Sequence, residues 1–250
     1  MRFTSETIAN GVSERRFTLG DIPGVLWSPA GAAGGRPLVL LAHGGGNHKL
    51  VSGLVARAQR FATAHGFAVA AVDAPGHGDR SGTELTERFM AGIRERIAAG
   101  EPIDSQLLRH SAQLGRQAVS EWRAVLDALQ QLDVVGRGGP VGFWGLSLGS
   151  AIGVPLVAAE PRIAAAVFGL VGQETLAEAA ARITVPVEFL LQWDDKLVPR
   201  DSAVALFDAF ASQEKTLHAN AGPHTGVPAF ERDSSERFLA RHLAYGGNKP

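Results

Sequence analysis

Five short apolar runs punctuate the chain, at residues 38–42, 67–72, 141–144, 163–171 and 185–191. None alternates with polar positions, so each is predicted to be a strand buried on both faces, as in a parallel sheet. Between them the pattern changes to a helical period. Leu50, Leu54, Ala58, Phe61 and Ala62 recur at helical spacing before Gly66, a natural stop. A longer helical pattern carries Val119, Trp122, Leu126, Leu129 and Leu132. This alternation of strand and helix predicts an α/β fold with right-handed crossovers in a doubly wound sheet, its ligands bound beyond the carboxyl ends of the strands. Ahead of the first run, residues 16–29 alternate loosely around Gly20, Asp21 and Pro23, which suits an antiparallel hairpin at a sheet edge, and 31–35 read as a loop.

One segment exceeds a minimal crossover. Residues 83–117, with Phe89, Met90, Ile93, Ile97, Leu107 and Leu108, are about one helical hairpin too long. They are expected to form a cap-like insertion over the site within a single domain spanning 1–250, with Phe89, Met90 and Ile93 serving the insertion's own core. No repeat, low-complexity tract or interdomain linker interrupts the chain.

The 250 residues are 45% hydrophobic with a formal net charge of -1, so no electrostatic footprint for nucleic acid or an anionic membrane is present. The absence of cysteine excludes disulfides, thiolate metal sites and a cysteine nucleophile. Residues 1–11 lack the apolar core of a secretory signal, and no run approaches the ~18 apolar residues of a membrane span, which leads us to expect a cytoplasmic protein.

The chemistry centres on Gly145-Leu146-Ser147-Leu148-Gly149, between a predicted strand and the apolar residues Ala151, Ile152 and Val154. Strand, sharp turn and helix in that order would hold Ser147 in a strained backbone conformation at the carboxyl end of the sheet. The two flanking glycines let strand and helix pass closely. A serine hydroxyl is a poor nucleophile at neutral pH and needs a histidine to accept its proton and a carboxylate to orient that histidine. Asp194 and Asp195 both follow the fifth apolar run. His224 lies in a glycine- and proline-bearing loop, whereas the rival His218 falls in the short strand-like pattern Thr216, Leu217, His218. The chain order is Ser, Asp, His.

That order, with its strand context, resembles the α/β-hydrolase superfamily from about Leu38 to the C-terminus. Three further motifs share the resemblance. Leu40-Leu41-Ala42-His43-Gly44-Gly45-Gly46 is similar to the superfamily's His-Gly oxyanion segment. Asp73-Ala74-Pro75-Gly76-His77-Gly78 is similar to its Asp-x-Pro-Gly-His-Gly turn, and Asp195-Lys196-Leu197-Val198-Pro199 matches the pattern of an acid four residues before a proline. The resemblance implies a mostly parallel sheet of about eight strands with helices on both faces. It also implies Ser147 as nucleophile, His224 as base and Asp195 as acid, with Asp194 a solvated neighbour. The oxyanion donors would be the backbone N–H groups of Leu148 and Gly45, with Gly44 the alternative to Gly45.

The implied activity is that of a serine carboxylesterase acting on small to medium acyl esters through an acyl-enzyme intermediate. Similarity to the dienelactone-hydrolase and small-esterase branches rests on the glycine segment and on a short connection before residue 185. The same residues would also serve lactones, thioesters, amides or carbon–carbon bonds, and a non-catalytic binding protein on this fold is the rival of another class. No cofactor is implied. His43 and His77 suit loop-holding hydrogen bonds and match no metal-ligand spacing. The Gly44 to Gly46 run lacks the Gly-Lys-Ser/Thr of a phosphate loop. The expected partner is a small-molecule ester, and a homodimer is left open. Trp144 is expected in the core beneath Ser147, and Pro155 is expected to kink or shorten the helix behind it.

Overall fold

The computed structural model describes residues 1–80, 82 and 84–244, and all side chains among them except those of 85, 97 and 98. Among the described residues nine strands form one sheet: β1 Arg2–Ala9, β2 Val12–Leu19, β3 Ile22–Pro29, β4 Leu38–Ala42, β5 Ala68–Val72, β6 Val141–Gly145, β7 Ile163–Gly169, β8 Val187–Gln192 and β9 Lys215–Asn220. Their order is β1-β2-β3-β5-β4-β6-β7-β8-β9. The first four in that order pair antiparallel, and from β5 to β9 every pairing is parallel. The helices are α1 Ser52–His65, α2 Glu84–Ala99, α3 Ser105–Leu129, α4 Leu148–Ala159, α5 Ala177–Ala180, α6 Arg200–Ala209 and α7 Phe230–Ala244.

Each apolar run is a strand for the expected reason. β4, β5, β6 and β8 are buried at every position because helices cover both faces. Leu40, Phe143, Phe168 and Phe189 point to one side, where Leu126 of α3 and Ile152 of α4 meet them. Val39, Leu41, Val69 and Val167 point to the other, against Phe61 of α1 and Phe238 and Leu239 of α7. The chain leaves β4 towards β5 on one flank and later places β6 on the other. The carboxyl ends of β4 and β6 therefore flank the point where the strand order reverses, which is where such sheets bind ligands.

The expected hairpin is β2–β3, closed by Gly20 and Asp21 between the paired Leu19 and Ile22. The strand that brings the total to nine is β1. All eight of its residues are exposed, so it carries no apolar signature. Gly66 ends α1 in the left-handed conformation with its N–H donated to Phe61 O.

In the region of the insertion, α2 is followed by an α3 that runs unbroken into the helix predicted around Val119, so residue 117 lies inside a helix. Thr83, the expected start of the insertion, and the side chain of Ile97 lie outside the described residues. The β7–β8 connection holds only the four-residue α5, as short as predicted.

Of the two effects expected of Pro155, shortening does not occur: α4 continues past it to Ala159. A proline at 155 removes the donor for the carbonyl of Ala151, and that carbonyl faces Gly115 of α3. A Cβ on Gly115 would lie 2.5 Å from Ala151 O. The two helices therefore cross backbone to backbone. Gly115 provides the clearance, and a Cα–H contact is the neighbour available to the released carbonyl.

Candidate active site

The turn after β6 places Ser147 at φ 56° and ψ -118°, a conformation that costs an L-residue about 1–3 kcal/mol. Several contacts hold it there. Ser147 N–H donates to Gly169 O at 2.9 Å. The buried Ser150 hydroxyl lies 2.7 Å from Gly145 O and 2.8 Å from both Gly169 O and Gly169 N, stitching the turn to the end of β7. Neither neighbouring glycine can be replaced without a clash. A Cβ on Gly145 would meet Gly149 C at 2.8 Å, and one on Gly149 would meet Ala42 O at 2.6 Å.

Three residues distant in sequence meet at this turn. His224 Nε2 lies 3.1 Å from Ser147 Oγ, and His224 Nδ1 lies 2.7 Å from Asp195 Oδ2. Asp195 Oδ1 accepts from the backbone N–H groups of Leu197 at 2.8 Å and Val198 at 3.2 Å. These two bonds fix the carboxylate's rotation so that Oδ2 faces the imidazole. The imidazole then carries its proton on Nδ1 and presents Nε2 as an acceptor to the hydroxyl.

The competing acid and base have other positions. Asp194 is exposed and accepts from Gly222 N–H at 2.9 Å, bracing the loop that carries His224. That loop is further tied by Trp193 N–H to Asn220 O at 2.7 Å and Asp194 N–H to Gly222 O at 3.1 Å. His218 stays in β9, where its Nδ1 lies 2.7 Å from Glu231 Oε2.

Glu231 was not anticipated from sequence. Its Oε1 accepts from Asn220 Nδ2 at 2.9 Å, so one carboxylate on the first turn of α7 joins both ends of the loop bearing His224. Glutamine at this position would set an amide donor against one of these donors. Glu231→Gln is expected to lower kcat by up to about a hundredfold with little change in KM, as steady-state kinetics can check.

Glu188, His218 and Glu231 form a cluster whose potential ligand atoms lie within 4.8 Å of one another. The His218 ring spans the two carboxylates, Nδ1 towards Glu231 and Nε2 3.9 Å from Glu188 Oε2, the arrangement of an imidazole bridging two acids. Burial pushes the Glu188 carboxyl above its ordinary range.

The backbone N–H groups of Gly45 and Leu148 have no acceptor among the described residues. Both residues line the same cavity as Ser147 and His224. Leu148 is the first residue of α4, where the helix leaves its amides unpaired. Gly44 lines this cavity too.

The glycine segment is anchored by His43, whose Nε2 accepts from Ala74 N–H at 3.0 Å while Nδ1 lies 2.9 Å from Gly44 O. Burial lowers its pKa to about 4. Above the unfolded value near 6.5 both states are neutral. As pH falls from there to about 4, only the unfolded chain takes up this proton, and stability declines by up to about 3 kcal/mol. Denaturant titrations at pH 7 and 4.5 are expected to show this loss in the wild type and less of it in His43→Gln.

Beside His43, Asp73 is fully buried and accepts from Lys49 Nζ at 2.6 Å, Lys49 N–H at 2.8 Å and Asp79 N–H at 2.9 Å. Lys49 Nζ also reaches Asp79 Oδ2 at 2.6 Å. This ion pair fixes the turn of residues 73–79 against the loop after β4. Within that turn His77 Nδ1 lies 3.0 Å from Pro75 O.

The aromatic and apolar residues serve the core, the cavities or both. Trp144 is buried beneath the turn, as expected, with the Arg57 guanidinium over its ring. Trp193 is on the surface under Arg200. Phe89 and Ile93, expected in the insertion's core in preference to a pocket wall, also line the cavities beside Ser147 because α2 lies across them.

A family model for the alpha/beta hydrolase family matches residues 39–246, and the chain belongs to that family. A solved structure of a cold-adapted esterase from an Arctic intertidal metagenomic library, complexed with PEG, is 33% identical, covering 97% of this chain and 100% of that chain with a TM-score of 0.78. An acetyl xylan esterase from Paenibacillus sp. R4 is 15% identical over 97% of this chain and 88% of its own, with a TM-score of 0.72. Est1E from Butyrivibrio proteoclasticus, with ferulic acid bound, is 15% identical over 96% and 100%, with a TM-score of 0.63. The last two share the fold. No protein of curated function matches the chain. Among the described residues no helix is long and apolar enough to cross a membrane.

Proposed function

We propose that this chain is a serine hydrolase that cleaves carboxylic esters of small to medium acyl groups through an acyl-enzyme intermediate. The observation that carries the reading is the hydrogen-bonded sequence Ser147 Oγ, His224 Nε2, His224 Nδ1, Asp195 Oδ2, at 3.1 and 2.7 Å, on a serine held at positive φ. Ser147 Oγ attacks the ester carbonyl as its proton passes to His224 Nε2, and Asp195 stabilises the imidazolium. The tetrahedral oxyanion lies against the N–H groups of Gly45 and Leu148, and loss of one such donor costs about 3 kcal/mol in the transition state. The C–O bond breaks as His224 returns the proton to the leaving alcohol. Water, deprotonated by the same nitrogen, then attacks the acyl-enzyme, releasing the acid and restoring Ser147.

Similarity to the Arctic metagenomic esterase over nearly the whole of both chains supports ester chemistry over the other reactions of this triad. In this reading α2 and the first half of α3 form a small cap on a single domain, taking the place of a lid between β7 and β8. A panel of p-nitrophenyl esters set against peptide p-nitroanilides tests the assignment. Turnover is expected on the esters and lost in Ser147→Ala; activity confined to the anilides would reject ester specificity.

A further inference from the structure

Two cavities open beside Ser147, and they differ in size and in which catalytic groups they touch. One, of about 100 Å³, is lined by Ser147, Leu148 and Ala151, with Leu107, Leu176 and Val198 around them, and does not include His224. The other, of about 340 Å³, includes Gly45, Trp144, Val227 and His224 as well as Ser147. Phe89, Ile93, Leu170 and Leu197 border both, so the two are lobes of one cleft that meet at the serine.

The chemistry assigns an occupant to each lobe. The leaving oxygen must lie within reach of His224 Nε2, which protonates it, so the alcohol portion extends into the lobe that contains His224. The acyl chain, attached to the same carbon, diverges from the leaving oxygen, into the lobe that His224 does not touch. Resting on the serine-hydrolase reading above, we propose that the enzyme selects esters by asymmetry: an unbranched acyl group of up to about four carbons joined to a considerably bulkier alcohol.

Size sets the limit. An apolar cavity of about 150 Å³ accommodates the six carbons of benzene, so about 100 Å³ accommodates about four. Leu107 and Leu176 are buried. Leu107 is backed closely by α2, since a Cβ on Gly92 would lie 3.2 Å from its Cδ2. Ala151, one helical turn beyond Ser147, forms the near wall. A longer chain must displace this packing, which costs a factor of roughly ten to a hundred. The alcohol lobe sets no comparable limit, so aryl and other large alcohols are admitted.

The test is kcat/KM for p-nitrophenyl esters from acetate to octanoate, and for acetates of alcohols from methanol to 2-naphthol. The expected result is roughly a tenfold or larger fall between butanoate and hexanoate, with the 2-naphthyl ester at least as good a substrate as the methyl ester. Two variants move the limit in opposite directions: Ala151→Val brings it down to acetate, and Leu107→Ala extends it to hexanoate. Their opposed shifts cannot come from a general loss of stability. A profile flat or rising to octanoate, or a limit that follows the alcohol and not the acid, overturns the proposal while the esterase reading stands. Labelling by a fluorophosphonate without turnover of any ester overturns both together.

Discussion

Asp195→Asn is expected to lower kcat for ester hydrolysis by about four orders of magnitude while leaving the fold intact. The side chain's surroundings dictate the reason. Leu197 and Val198 donate their backbone N–H groups to Oδ1, and in the variant only the amide oxygen can accept them. The NH2 group is therefore turned towards His224, where it needs an acceptor. His224 Nδ1 must give up its proton to satisfy it, the proton moves to Nε2, and Nε2 can no longer accept from Ser147. Asp194→Asn is the control. Asparagine keeps a carbonyl for Gly222 N–H, so the brace survives and the loss is expected to stay below about tenfold. Comparable losses in the two variants would contradict the assignment of Asp195. Steady-state kinetics with circular dichroism on both proteins decides the matter.

Lys49→Met is expected to destabilise the fold by about 3–5 kcal/mol, measured as a lowered urea midpoint. Lys49 Nζ is the only cation among the described residues bonded to the Asp73 carboxylate, which is out of contact with solvent. Removing it leaves the charge supported by two backbone N–H groups alone. Water has no easy way in. Gly78 packs so closely on the carboxylate that a Cβ there would lie 2.2 Å from Asp73 Cγ. Adding Asp73→Asn to Lys49→Met is expected to recover part of the loss, because the stranded charge is then gone. A loss under about 1 kcal/mol in the single variant would show that Lys49 is no more than a surface ion-pair partner.

The parts of the molecule that could be read from sequence are those where one physical requirement controls a contiguous stretch. Burial on both faces makes strands β4 to β7 apolar throughout, and β8 apolar except at Glu188 and Gln192. Close approach at the turn demands glycine at 145 and 149, and the order of Ser147, Asp195 and His224 follows the carboxyl ends of β6, β8 and β9. What could not be read depends on partners far apart in the chain. Lys49 looks like any surface lysine until Asp73, 24 residues on, is folded against it. Ser150 resembles an ordinary helix residue until Gly169 arrives from β7. Glu231 and His218 meet only because α7 returns across the sheet. Phe89 and Ile93 illustrate a different limit: apolar residues at helical spacing fill a core and line a cavity with the same pattern, and only the position of α2 over Ser147 separates the two. β1 is the opposite case, a strand with no apolar pattern because it has solvent on both faces.

Intact-mass spectrometry after treatment with a fluorophosphonate addresses the activated serine most directly, applied to the wild type, Ser147→Ala and His224→Ala. One adduct on the wild type, none on Ser147→Ala and strongly slowed labelling of His224→Ala is the predicted result. An unlabelled wild type, or an adduct that persists in Ser147→Ala, would contradict the assignment of Ser147 as a nucleophile activated by His224.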